Sequence, residues 1–292
     1  MKYLGYALFS IFAFLCALYL TFPWEDAKGR ALAEVSRATG ATITAKKLEP
    51  SWVTGVHAEG VKIQMPKSPE PIELAEIDAR AHVLALISGG VGANVELPIA
   101  KGLVEADFSD GSAGTSVDAT IAGVELALVP GAADAIGLPL SGTVDAKIDL
   151  ELSKEDVKKS SGLIELKGSG LELLEGGKVS GFPVPALALG NLDWSVPVKN
   201  GKLLFEKQEM KGENVEVKLD GEITLNKDFS RSVLNLVVSF QPTAAFLKKE
   251  PLLGALLQNI RSAKGSDGFY SYAMTGSIKH PRFFPKRGGA KR

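Results

Sequence analysis

Apolar and polar residues alternate along much of the middle and C-terminal part of the chain. Residues 144–152 read VDAKIDLEL, in which every second side chain is apolar. The same alternation recurs in residues 215–225 and 234–240, with weaker versions in 117–129 and 163–174. A period of two places successive side chains on opposite faces of a β-strand. We therefore predict a series of strands with one apolar and one solvated face.

Glycine recurs inside these predicted strands as part of a short phrase. LSGTV (140–144), LKGSG (166–170), LDGEI (219–223) and MTGSI (274–278) each carry an apolar residue, a polar residue and then glycine. Glycine weakens a strand, but it permits a bulge, a bend or a close approach of another backbone. Lys199-Asn200-Gly201 is a typical hairpin turn. The fold class predicted from these patterns is mainly β, with a curved and largely antiparallel sheet.

Two segments interrupt the strand pattern with helical spacing. Residues 25–40 open with acidic side chains, which suit a helix N-terminus, and are predicted to form a linker helix. The segment 243–263 is predicted to hold a helix that Pro251 begins. Its apolar stripe consists of Leu252, Leu253, Leu256, Leu257 and Ile260. This stripe either plugs one end of the sheet or contacts a membrane or a partner protein.

The most hydrophobic stretch of the chain runs from Leu4 to Phe22 and contains no charged residue. A helix of this length rises about 28 Å, close to the hydrocarbon thickness of a bilayer. We predict an uncleaved single-pass anchor with a cytoplasmic N-terminus, in the inner membrane of a bacterium. The alternative is a cleaved signal peptide, which would have a shorter apolar core and a small-x-small cleavage site. Thr21-Phe22-Pro23-Trp24 does not supply that site.

These segments imply four regions. A cytoplasmic stub with the anchor occupies 1–24, the linker helix 25–40, a periplasmic β-rich domain 41–285 and a basic flexible tail 286–292. Lys and Arg number 33 against 34 Asp and Glu, so no overall basic field favours nucleic acid. Cys16, the single cysteine, lies in the predicted anchor and excludes an intrachain disulfide.

Residues able to do chemistry are scarce and scattered. His57, His82 and His280 lack the spacing of metal ligands. The glycine-rich stretch 89–98 is not followed by the lysine of a phosphate-binding loop, and no G-x-S-x-G sequence marks a nucleophile. We therefore predict a protein that is not an enzyme and carries no metal or cofactor, with a bound phospholipid as the one ligand considered.

Two non-enzymatic classes fit a sheet with one apolar face. The first is a membrane-anchored scaffold, whose apolar face is a core packed by the helix of 243–263. The second is a lipid-handling protein, whose apolar face is an open groove for acyl chains. The candidate groove residues are Val144, Ile148, Leu150, Val217, Leu219, Ile223, Leu236 and Val238. Alternation alone does not separate a groove from a core.

Three stretches carry a resemblance to a known family. They are SWVTGVHAEGVKI at 51–63, residues 187–240, and GFYSYAMTGSIKHPRF at 268–283. With the predicted anchor and the glycine-punctuated strands, they resemble the type II secretion system protein N family (GspN). This resemblance implies an accessory of the machinery that exports folded proteins across the outer membrane, with other inner-membrane secretion proteins as partners.

The same glycine phrases are similar to the wider AsmA-like group of proteins. That similarity implies an inner-membrane anchor with a β-rich periplasmic groove or open barrel, and a role in lipid movement and outer-membrane biogenesis. The expectation from the sequence is thus a type II secretion component, with a lipid-binding or lipid-transfer protein as the alternative.

Overall fold

The computed structural model describes residues 29, 33, 36, 41–51, 54–64, 71–83, 85, 89–131, 133, 138–179 and 182–286. The predicted anchor from Leu4 to Phe22 and the tail beyond Lys286 lie outside these residues, as does most of the predicted linker helix. Gly29, Ala33 and Ser36, which are described, are helical. Among the described residues, no helix combines the length and the hydropathy needed to cross a membrane.

Within the described residues, fourteen strands form one antiparallel sheet in which each strand pairs with its neighbours along the chain. The first eight are β1 (Thr42–Ser51), β2 (Gly55–Gln64), β3 (Ile72–Ala81), β4 (Val91–Ile99), β5 (Gly102–Asp110), β6 (Gly114–Glu125), β7 (Leu140–Ser153) and β8 (Ser161–Leu173). After a separate small hairpin of β9 (Lys178–Val179) and β10 (Phe182–Pro183), the sheet continues. Its last six strands are β11 (Leu187–Lys199), β12 (Lys202–Lys211), β13 (Val215–Thr224), β14 (Val233–Pro242), β15 (Tyr270–Ser277) and β16 (His280–Pro285). The sheet is open, with β1 and β16 as its edges.

The strand pairing places the apolar residues of neighbouring strands on one face. Ile148 of β7 lies opposite Ala119 of β6 and Ile164 of β8, and Ile164 lies opposite Val196 of β11. Residues directly opposite each other in a ladder point to the same side of the sheet. We call this side the apolar face and the other side the polar face. The mainly β, antiparallel prediction is confirmed, and each alternating stretch contains a strand, although 117–129 leaves β6 at Glu125 and ends in a 3-10 turn at Leu126–Leu128.

The predicted turn and glycine features are confirmed in most positions. Asn200 and Gly201 have φ angles of 52° and 68° in the two-residue turn between β11 and β12. Gly221 has φ of 124°, and a Cβ atom there would lie 2.2 Å from the carbonyl oxygen of Asn235 on β14. Among the other glycines of the repeated phrase, Gly142 and Gly276 also have positive φ, whereas Gly168 does not. The phrase therefore marks close backbone approach in three of its four occurrences.

The predicted helix of 243–263 is two helices followed by a short 3-10 turn. α1 spans Ala244–Lys249 and α2 spans Pro251–Asn259, with the 3-10 turn at Arg261–Ala263. The hydroxyl of Thr243 accepts a hydrogen bond from the N–H of Phe246 and caps α1. Glu250 between the helices is not helical, because a residue before proline avoids the helical conformation. Pro251 then begins α2, as predicted.

Nine of the buried apolar residues form three clusters. One contains Ala58, Val61 and Leu74 on β2 and β3. The second contains Val196, Val198 and Leu203 at the β11–β12 hairpin. The third contains Leu257, Ala263 and Tyr270, where α2 packs on the sheet. Elsewhere on the apolar face Leu192, Leu234 and Leu236 are buried, and most of the remaining apolar residues of the described strands are partly buried.

Candidate functional site

The eight predicted groove residues all lie on the apolar face, as their cross-strand partners show. Leu150 of β7 lies opposite Gly162 of β8, which lies opposite Val198 of β11. Val198 lies opposite Leu203 of β12, which lies opposite Ile223 of β13. These five residues form one row across the sheet. Because β7 alternates regularly, Val144 and Ile148 share the face of Leu150.

The remaining groove residues continue this face across β13 and β14. Val217 and Leu219 alternate with Ile223 along β13. Leu219 of β13 lies opposite Val238 of β14, and Gly221 of β13 lies opposite Leu236 of β14. Leu236 is buried, whereas the other seven predicted groove residues are half-buried. The structure thus brings the eight residues onto one side of the sheet, where Leu150 and Ile223 pack against the second buried cluster and Val144, Ile148, Val217, Leu219 and Val238 are half-buried.

The apolar face is concave between β6 and β14. A cleft of about 240 Å³ at one end of the strands is lined both by Leu152 and Val157, near the β7–β8 loop, and by Leu225 and Phe229, near the β13–β14 loop. Strands β7 and β13 are four positions apart, so a flat sheet would separate them by about 19 Å. Side chains near the β7–β8 loop and near the β13–β14 loop can line one cleft because the sheet curls towards its apolar face.

Two polar groups on the apolar face were not anticipated from the sequence. The side-chain amide of Gln208 is buried and donates to the carbonyl of Ser195, at 2.8 Å, and to that of Glu206, at 3.4 Å. Nε1 of Trp194 donates to the carbonyl of Glu209 at 3.2 Å. These bonds bridge an irregular stretch of β12, where Lys207 has φ of 51°.

A sequence signal for this irregularity does exist. In β12 the run Leu203, Leu204 and Phe205 is apolar, and the next apolar residue, Met210, lies in the phase opposite to Leu203 and Phe205. Such a change of phase inside a strand indicates an extra residue, which is a bulge. The side-chain N–H groups of Gln208 and the indole N–H of Trp194 therefore donate to backbone carbonyls at this bulge.

The two helices cover one end of the apolar face. Leu253, Leu257 and Ile260 lie with Phe240 and Tyr272 in the third cluster, and Phe246 of α1 is buried as well. Leu252 is 80% exposed and does not belong to that packing. The side chain of Leu256 lies outside the described part. The predicted stripe is therefore divided, with Leu253, Leu257 and Ile260 packed on the sheet and Leu252 facing solvent.

The polar face carries charged residues in exposed pairs. Nδ1 of His57 lies 2.9 Å from a carboxylate oxygen of Asp78, and Nε2 lies 3.6 Å from Glu59. The hydrogen bond to Asp78 raises the pKa of His57 above its usual value. His82 lies 3.1 Å from Asp107, and His280 is exposed on β16, so the three histidines lie on different strands or loops. Over the described residues, no group of three or more His, Cys, Asp or Glu side chains is placed to hold a metal ion.

No protein-family model, no curated protein and no solved structure matches the chain. The concave and partly buried apolar face, with one end covered by α1 and α2, is therefore the candidate functional site on its own geometry and chemistry.

Proposed function

We propose that the apolar face binds the acyl chains of phospholipids and that the protein is a lipid-binding or lipid-transfer protein. The observation that carries this proposal is that Val144, Ile148, Leu219 and Val238 stay only partly buried on a concave surface. A continuous apolar surface that stays partly open to water is unfavourable, and such surfaces mark binding sites in folded proteins. A ligand that covers this surface removes it from water.

The chemistry of the face favours an alkyl chain over a ligand with many polar groups. Gln208 and Trp194 are the polar groups that interrupt its central part, and both already donate to backbone carbonyls. A ligand lying along the face is therefore offered mainly apolar contact. Acyl chains make no hydrogen bonds, so they lose none when they leave water for such a surface.

Quenching of Trp194 fluorescence by brominated phospholipid tests the proposal without altering the apolar face. Trp194 lies opposite Leu166 on that face, and the other two tryptophans, Trp24 and Trp52, can be replaced by phenylalanine. The full-length protein in mild detergent is expected to show strong quenching by lipids brominated in the acyl chain. Native mass spectrometry of the same protein should show copurified phospholipid at defined stoichiometry.

A pair of aspartate substitutions supplies the matched control. Leu219→Asp places a carboxylate on the apolar face, whereas Val233→Asp places one on the polar face of the next strand, where Val233 lies opposite Thr224 and Ser277. Lipid binding should be lost in Leu219→Asp and kept in Val233→Asp, with folding of both checked by circular dichroism. A lipid-free wild-type protein whose Trp194 is not quenched would exclude the proposal.

The role in type II secretion stays a prediction that rests on the resemblance of residues 51–63, 187–240 and 268–283. Crosslinking in cells would test it, since an accessory of that system should be captured with other inner-membrane secretion proteins. The two proposals are separable, because Leu219→Asp should abolish lipid binding and leave partner crosslinks in place if the protein is a scaffold. The inner-membrane location likewise stays a prediction from residues 4–22.

A further inference from the structure

Exposed aromatic and cationic side chains lie around one corner of the sheet, near the β13–β14 loop and the β15–β16 hairpin. The N–H of Ile278 donates to the carbonyl of Ser232 at 3.0 Å, and the N–H of Lys279 donates to that of Ser230 at 3.1 Å. These bonds hold the loop against the hairpin. The corner, as we use the term, consists of Lys227, Phe229, Arg231, Lys279, Arg282 and Phe283.

The two aromatic rings of the corner are left in solvent. Phe229 is 61% exposed and Phe283 is 59% exposed. Phe283 lies opposite Met274 on the apolar face, at the very edge of the sheet. Two phenylalanines that are largely exposed at one corner are unfavourable in water, and they mark a surface that another apolar phase covers.

The charge of the corner has one dominant sign. Its four charged members, Lys227, Arg231, Lys279 and Arg282, are all cations. Among the described neighbours in the loop and hairpin, Asp228 is the acidic residue, and its carboxylate lies 3.2 Å from Nε of Arg231. Hydrogen bonds from Ser230, together with the nearby Arg231 and Lys279, lower the pKa of Asp228. The corner keeps a net positive charge and attracts an anionic surface.

The edge strand β16 is poorly suited to pairing with a further strand. The N–H of Lys286 donates to the carbonyl of Ser271. The backbone N–H and C=O groups of the even-numbered residues of β16 therefore point to β15, and those of positions 281, 283 and 285 point away from the sheet. Pro281 and Pro285 have no N–H, which leaves Phe283 as the outward donor. Prolines on an edge strand block the addition of another chain. The exposed rings are therefore not explained by β-strand addition.

We propose that this corner docks on an anionic phospholipid bilayer. Phenylalanine rings enter the interfacial region of a bilayer, and lysine and arginine beside them attract anionic head groups. Lys227 and Phe229 also line the cleft at the end of the apolar face. Docking at the corner would thus bring a bilayer to that end of the face. The inference goes beyond lipid binding in the groove and does not depend on it.

A fluorescent probe at position 280 tests the proposal locally. Cys16 is the single cysteine, so Cys16→Ser with His280→Cys places one environment-sensitive label at the exposed edge strand, between Lys279 and Arg282. The full-length protein is held in zwitterionic nanodiscs and mixed with vesicles of phosphatidylcholine, with or without phosphatidylglycerol. The probe should shift to the blue, and be quenched by spin-labelled lipid, with the phosphatidylglycerol vesicles and not with phosphatidylcholine alone.

Variants of the corner should weaken this response in a graded way. Neutralising Arg231, Lys279 or Arg282 to glutamine should reduce vesicle affinity about fivefold for each cation removed. Phe229→Ser with Phe283→Ser should remove the blue shift while leaving a weak, salt-sensitive association. A label at Ser266→Cys, at the opposite end of β14 and β15, should stay in water throughout.

Several outcomes would overturn the proposal. They are no response at position 280, an equal response to both kinds of vesicle, an equal response at Ser266→Cys, or a response unchanged in the glutamine and serine variants. If a protein partner shields the probe at position 280 from water and phosphatidylglycerol vesicles do not shift its fluorescence, the surface binds that protein instead. Leu219→Asp should leave the fluorescence response at position 280 intact. This variant therefore separates a failure of the docking proposal from a failure of the proposal that the apolar face binds lipid.

Discussion

At the scale of single residues, Gln208 shows how one buried amide stabilises an irregular strand. Its side chain donates to the carbonyls of Ser195 and Glu206 on the apolar face. Gln208→Leu keeps a similar volume but leaves both carbonyls unpaired, so the free energy of unfolding should fall by about 1–3 kcal/mol. Urea denaturation followed by circular dichroism measures this change.

Gln258 on α2 offers the matched control, because its side chain is exposed. Gln258→Leu should change the free energy of unfolding by less than about 0.5 kcal/mol. Equal stability of Gln208→Leu and the wild type would show that the two carbonyls find other partners, and that the amide does not hold the bulge.

His57 on the polar face supplies a second residue-scale prediction. The hydrogen bond to Asp78 raises the pKa of His57 in the folded protein above the usual 6.5. The interaction therefore contributes its full stabilisation below pH 6.5 and loses it as the pH rises through the higher folded value. A titration of the imidazole by nuclear magnetic resonance should show the raised pKa in the wild type and a lower one in Asp78→Asn. Asp145→Asn, on the distant strand β7, should leave the titration of His57 unchanged.

At the scale of elements, α2 should be held on the sheet by the side of the helix that carries Leu257. Leu257 is 6% exposed and packs in the third cluster, whereas Leu252 is 80% exposed. Leu257→Ala should lower the free energy of unfolding by about 2–5 kcal/mol, because it leaves a cavity. Leu252→Ala should change it by less than about 0.5 kcal/mol. Thermal and urea denaturation compare the two, and equal effects would mean that α2 is not anchored through Leu257.

At the scale of the whole molecule, the sheet should not unfold as one cooperative unit. The cluster of Ala58, Val61 and Leu74 shares no buried residue with the cluster of Val196, Val198 and Leu203. Each strand of the sheet also pairs only with its neighbours along the chain. Local opening follows contiguous units of this kind. Val61→Ala should destabilise its own region by about 1–3 kcal/mol.

Hydrogen exchange measured by mass spectrometry distinguishes the two ways of unfolding. In Val61→Ala, exchange should rise in β1 to β3 and stay unchanged in β12 and β13. A uniform rise along the whole sheet would show instead that the fourteen strands of the described part form one cooperative unit.

Much of the local structure could be predicted from particular residues. The alternation at 144–152 identifies β7, Asn200-Gly201 identifies the turn after β11, and Pro251 identifies the start of α2. The break at Glu250 and the exposure of Leu252 were not predicted, because helical spacing shows an apolar stripe without showing how much of it is covered. The bulge at Lys207 was missed because a change of phase over a few residues is weak beside the alternation around it.

The sequence by itself determined the strands, their apolar and polar sides, and the set of residues that share one face. It could do so because a period of two is a local property of the backbone. Only the tertiary structure decided that the face curls, that Val144 and Leu219 are partly buried while Leu236 is fully buried, and that Phe229 and Phe283 lie near the same corner. Those features depend on strand order, curvature and the placing of α1 and α2, which arise from contacts between residues far apart in the chain.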